Sequence, residues 1–166
     1  MVKKNVSTPP TLPANPTKRK SRKSNLRWES LIDPFEAGDY QVVPLISSNE
    51  LREEGELMNH CVGRRYHRWC HVGAVRVFSI RDLDGRRVAT ASFYYDFDEE
   101  RWRIEQCKGY ANGNVTDHFA DGGRQSTQPS PTDLHFLVEY LLVKYQAAHN
   151  SISNTSESNH STWGGQ

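Results

Sequence analysis

The sequence predicts an α+β domain in which an antiparallel meander of three to four strands carries helices packed on one face. Three observations predict it. Residues 74–107 hold three strand-like runs separated by two tight, polar turns. Residues 47–71 change to helical spacing behind a capping signal. Residues 130–148 carry the longest apolar stripe of the chain at helical period.

Each element follows from local chemistry. Residues 1–25 contain Pro9, Pro10, Pro13 and Pro16 and almost no large apolar group, so they bury too little to offset their ordering entropy and are expected to be disordered. The body is expected to span 26–148 as a single domain. Leu26, Trp28, Leu31, Ile32 and Phe35 suggest a short helix that stops before Pro34. Tyr40–Leu45 reads as a strand, with Pro44 suited to an edge where one donor is expendable. Ser47-Ser48-Asn49-Glu50 is a capping box for a helix running to about Cys61, stopped by Gly63. A second helical piece spans Arg64–His71, with Val62, Tyr66, Trp69 and Cys70 on one side and Arg64, His67, Arg68 and His71 on the other; Gly73 ends it.

Ala74–Arg81 is apolar on both faces, as a central strand is. Asp82-Leu83-Asp84-Gly85 turns the chain into the partner strand Val88–Tyr95. After the acidic turn Asp96–Glu100, Arg101–Cys107 alternates, with Trp102, Ile104 and Gln106 sharing a side. Residues 109–128 form a long Gly/Asn/Asp loop. Ser130 caps the last helix, Pro131 takes its first position, and Leu134, Leu137, Val138, Leu141, Leu142, Tyr145 and Ala148 are its stripe. The Ser/Asn-rich segment 149–166 is expected to be a disordered tail.

Charge is unevenly distributed. The net charge is +1, yet residues 1–28 carry eight of the 21 Lys and Arg and no acid, leaving 13 basic residues against 20 acidic ones in the remainder. A cationic arm on an acidic body fits DNA, RNA or an acidic protein partner, and a solvated tail fits equally well. Lys18, Arg19, Lys20, Arg22 and Lys23 are the arm's nucleic-acid candidates, joined by Arg64 and Arg68 on the helical stripe. Three cysteines without paired spacing argue against a disulfide framework. No apolar run is long enough to span a membrane, and no apolar segment follows Lys3 and Lys4, so neither a membrane anchor nor a secretory signal is expected; a reducing cytoplasm is the expected compartment.

Chemistry-bearing residues concentrate around Met58-Asn59-His60-Cys61-Val62-Gly63. A thiolate needs a nearby base or cation, but adjacent helical residues point about 100° apart, so His60 and Cys61 would line different walls of one cleft. A buried helix-end cysteine packed over the sheet beside a hydrogen-bonded histidine is the alternative. Gln106, aimed inward by its strand, needs polar partners there. Cys61, His67, Cys70 and His71 have zinc-ligand chemistry but lie on opposed faces, so no metal is expected, and no cofactor either.

The ordered set Glu54-Gly55, Met58, His60-Cys61-Val62-Gly63, Gly73, Val77-Phe78-Ser79-Ile80-Arg81, Ala89-Thr90 and Gln106-Cys107-Lys108-Gly109 with Asn112 resembles the PcfJ-like proteins of conjugative plasmids, phages and other bacterial mobile elements. The resemblance covers roughly residues 42–115. It implies His60, Cys61, Gly63, Gln106, Gly109 and Asn112 as a shared site, and the matched stretches add Glu54 and Lys108 as ligand-binding candidates. His60, Cys61 and Gln106 are the candidates for chemistry. The expected function is a nucleic-acid-associated accessory protein of a mobile genetic element; a small Cys/His-dependent enzyme and a protein–protein adaptor are the rivals.

Overall fold

A computed structural model describes residues 24–113, 115 and 131–158, with the helix ends 131–133 and 156–158 given by backbone alone. All but two residues of the expected basic tail, the long loop beyond 115 and the cap at Ser130 lie outside the described residues.

Five strands, not three or four, form one antiparallel sheet in chain order: β1 Phe35–Ala37, β2 Tyr40–Pro44, β3 Val75–Asp82, β4 Arg87–Asp96 and β5 Arg101–Lys108. The additional strand β1 has three residues and turns into β2 through Gly38, whose φ of 59° suits glycine. No helix forms over 26–34. The segment instead bridges to the stretch after β2: Trp28 N–H donates to the Ile46 carbonyl (3.0 Å) and the Trp28 indole to the Leu45 carbonyl (2.8 Å). The apolar residues there serve two clusters, Trp28 one and Leu31, Ile32 and Phe35 the other.

Helices cover both faces of the sheet, which corrects the one-face expectation. On one face α4, Pro131–Ser158, buries Leu134, Leu137, Val138, Leu141 and Tyr145 against Phe78, Ile80, Ala91, Phe93 and Trp102. Tyr145 meets Phe78 and Trp102 edge-on, with centroids at 5.4 and 5.2 Å. On the other face lie α1 Ser48–Leu57, α2 Val62–Arg65 and α3 His67–His71, where Leu51, Val62 and Cys70 pack on Val75 and Val77. That face also buries Ser79, Thr90 and Ser92. Buried hydroxyls need partners, and α1 with its following turn supplies two for Thr90, as the site below shows.

Several local expectations hold with altered detail. Ser47 caps α1 by accepting from the Glu50 amide (3.3 Å), while Glu50 reaches one residue further than a capping box, to the Ile46 amide (2.6 Å). α1 ends at Leu57 rather than near Cys61. The stop is Asn59, left-handed at φ 52°, with the His60 amide donating back to the Gly55 carbonyl at 3.0 Å. The piece 64–71 is two short helices meeting at Tyr66. Trp69, expected on its apolar side, is 59% exposed. Helix α4 continues to Ser158, through ten residues expected as tail.

The candidate site over strands four and five

The turn after α1 places His60. Its Nε2 lies 2.9 Å from Thr90 Oγ1, and the Thr90 hydroxyl donates to Glu54 Oε1 at 2.7 Å. Arg87 Nε donates to the other Glu54 oxygen at 2.7 Å, and Arg87 also reaches Glu53 at 3.1 Å. Glu54 is fully buried. A carboxylate only accepts, so the Thr90 proton is committed to Glu54 and His60 must donate from Nε2. Nδ1 then carries the lone pair, closed from solvent and without a partner among the described residues. Burial lowers the His60 pKa below its ordinary value, against the opposing pull of the Glu54 carboxylate.

A second polar chain lies two positions along β4. Ser92 donates to Glu105 Oε2 (2.9 Å), Tyr66 donates to Glu105 Oε1 (3.1 Å), and Gln106 Nε2 donates to the Tyr66 hydroxyl (3.0 Å). Burial, reinforced by Glu105, pushes the Tyr66 phenol up to about 12. A bulge makes this arrangement possible. Ser92 pairs with Gln106 but Phe93 pairs with Ile104, so Glu105 is an inserted residue. Trp102 and Ile104 therefore pack towards α4, as does Cys107, while Gln106 turns to the α1–α3 side. The expectation that Gln106 shares a side with Trp102 and Ile104 fails for this reason. Its expected face is nonetheless reached: Gln106 sits opposite Ser92, beside the Thr90–Lys108 pair under His60.

The remaining candidates divide. Gly63 is a packing residue. A Cβ there would lie 2.7 Å from Arg52 Cα and 2.8 Å from the Leu51 carbonyl oxygen. Gly109 is buried and donates to the Gly113 carbonyl at 3.0 Å, closing the 3-10 turn Tyr110–Asn112. Ala111 N–H donates to the Met58 carbonyl at 2.8 Å, tying that turn to the end of α1. Asn59, His60, Cys61, Arg52, Arg64, His67, Arg68 and Asn112 line one open cleft of about 1070 Å³. Gln106 is not among the residues lining it. Lys18, Arg19, Lys20, Arg22 and Lys23 lie outside the described residues.

Cys61 is exposed, which overturns the packed-thiol alternative; the buried thiols are Cys70 and, in part, Cys107, pushed by burial up to about 12 and about 11. No three of His, Cys, Asp and Glu gather for a metal among the described residues, and no described helix is long and apolar enough to cross a membrane. Sequence reasoning missed Arg87, Thr90, Ser92, Tyr66 and Glu105 as members of these networks. The resemblance includes Thr90 in the pair Ala89-Thr90, but nothing in the sequence assigns its hydroxyl a partner.

No curated protein and no solved structure matches the chain. A family model described as PcfJ-like protein matches residues 12–120, a wider span than the motifs themselves cover and well over half of the 166 residues. The chain belongs to the PcfJ-like family.

Proposed function

We propose that this PcfJ-like protein is a nucleic-acid-associated accessory protein of a bacterial mobile genetic element, with α2, α3 and the adjoining cleft as its contact surface. The observation that carries the reading is a cluster of exposed arginines on one pair of short helices. Arg86, Arg87, Arg101 and Arg103 are each paired with carboxylates. Arg64, Arg65 and Arg68 are exposed on the α2–α3 face, and none has an ion-pair partner among the described residues. Clustered cations without carboxylates suit phosphate oxygens. The mobile-element setting rests on the family resemblance.

The His60 network fits this reading as a support. It holds the turn carrying Asn59 and Cys61 against the sheet, leaving the cleft rim to meet a ligand. A small cysteine-dependent enzyme is the second reading, favoured by the exposed Cys61 thiol in the cleft. Against it, His60 Nε2 is held by Thr90 and Nδ1 is closed off, so the neighbouring imidazole offers the thiol no free base.

The test is a salt titration of binding to a labelled oligonucleotide. Each neutralised phosphate contact lowers the slope of log affinity against log salt by about 0.7–0.9. Arg64→Gln/Arg68→Gln should make that slope shallower by roughly 1.4–1.8. Deletion of residues 1–23 separates the arm's contribution from that of the helices. An unchanged slope in the double variant assigns the contact to the arm alone and sinks the proposed surface.

A further inference from the structure

We infer that Trp69, on the same exposed cationic stretch as Arg65 and Arg68, is a stacking subsite for an unpaired base, so that single-stranded nucleic acid is the preferred ligand of this face. This rests on the nucleic-acid reading above and adds the substrate class to it.

Trp69 has no task in the fold. Trp28 and Trp102 are 9% and 5% exposed and belong to the two cores, whereas Trp69 is 59% exposed. Its neighbours on the inner side of these helices, Val62, Tyr66 and Cys70, make the packing contacts with the sheet without it. Among the described residues its indole has no ring contact, hydrogen bond or cation partner. An indole left in water over this much of its surface is an anchor in search of a flat apolar partner.

The surroundings select the partner. Arg65 precedes Trp69 by four residues across the bend at Tyr66, and Arg68 and His71 flank it in sequence; Arg64, Arg65, Arg68 and His71 are all exposed. Exposed cations on the same two short helices as an exposed indole match a nucleotide strand, whose phosphates alternate with its bases. In a duplex the bases are already stacked on one another and present only edges, so the indole gains nothing there that the arginines do not supply. The cation face alone gives affinity for both forms; the indole makes the difference between them.

The experiment compares the full chain with Trp69→Leu and Trp69→Phe on a labelled single strand and on the corresponding duplex at low salt. The full chain should bind the strand more tightly than the duplex. Trp69→Leu should weaken strand binding roughly tenfold, the loss of one stacked base, and leave duplex binding unchanged. Trp69→Phe should retain most of the strand affinity. Strand binding should also quench tryptophan emission in the full chain, and the quench should vanish in Trp69→Leu. The side chain is exposed, so both variants should keep the parent's unfolding midpoint, which is measured alongside. Equal weakening of both ligands, or no change in either, overturns the subsite, and the latter assigns the indole to a protein surface. Arg64→Gln/Arg68→Gln losing both ligands while Trp69→Leu loses neither would retain the nucleic-acid reading and reject the subsite. Failure of the full chain to bind either ligand rejects both.

Discussion

Replacing Gly63 with alanine perturbs the joint on which the site rests. The added methyl would stand 2.7 Å from Arg52 Cα and 2.8 Å from the Leu51 carbonyl oxygen. Carbon atoms rest at about 3.5–4.0 Å from one another, so relief requires α2 to withdraw from α1 by roughly 1 Å. The atoms met are backbone and have no rotamer to change. Inserting a methyl into a packed interior costs about 1–3 kcal/mol, and so unyielding a contact puts Gly63→Ala near the upper limit. Gly55→Ala is the control from the facing helix. Its Cβ would lie 3.0 Å from Gly63 N and 3.0 Å from the His60 carbonyl oxygen, a milder conflict. Alanine also gains about 1 kcal/mol of helix propensity over glycine inside α1. Its net cost should be about 1 kcal/mol or less. Urea unfolding of both variants, with unchanged m, reads the two values. A Gly63→Ala protein as stable as the parent, or one less affected than Gly55→Ala, would refute backbone-to-backbone packing of α1 on α2.

The buried network, the thiols and the acid limb of stability give three further expectations. Thr90→Val removes the hydroxyl shared by Glu54 and His60, leaving Glu54 Oε1 and His60 Nε2 without it while Arg87 still holds Glu54 Oε2, and should cost about 3 kcal/mol in the same unfolding assay; Thr90→Ser should retain most of the stability, and equal losses would exclude the hydroxyl as the cause. Alkylation of the native protein at neutral pH should modify Cys61 well before Cys70 and Cys107, whose thiols are covered and pushed up to about 12 and about 11; comparable rates at all three would contradict the burial assigned to them. His60 has a folded pKa below its unfolded value of 6.5, so the unfolded chain binds the proton first as pH falls. The contribution of His60 is therefore complete above pH 6.5 and is lost as pH drops through the lowered folded value, and His60→Gln should flatten this part of the stability curve; an unaltered pH dependence would count against the burial of the ring.

What the sequence made legible is what short-range chemistry determines. The cap at Ser47, the hairpin at Asp84-Gly85 and the stripe from Leu134 to Tyr145 each lie within a few residues of their cause. β1 escaped because three residues are too few for alternation to show, and its pairing partner alone defines it. The second helical layer escaped because the partners of Thr90 and Ser92 are remote in sequence: Glu54 and His60 hydrogen-bond Thr90, and Glu105 hydrogen-bonds Ser92. The length of α4 was misread from composition. Ser151, Ser153 and Thr155 return their hydroxyls to the carbonyls four residues earlier, at 2.9, 3.2 and 2.8 Å, and His149 packs on Tyr95 and Trp102. At the site, Gln106 reaches the His60 side of the sheet through the bulge and not through the regular alternation with Trp102 and Ile104. The inserted Glu105 changed the alternation, and no residue type in Arg101–Cys107 announces a bulge.

The most direct test of the nucleic-acid surface is a residue-resolved footprint. Backbone amide shifts of the isotope-labelled full chain, followed during addition of a short single-stranded oligonucleotide, should move at Arg64–Val72 and at the cleft rim, Asn59 and Asn112, where the unpaired arginines and the exposed indole lie. Amides of β1 and of the outer side of α4 around Phe136, Tyr140 and Val143 should stay in place. Shifts confined to α4, or none in α2 and α3, would contradict the account.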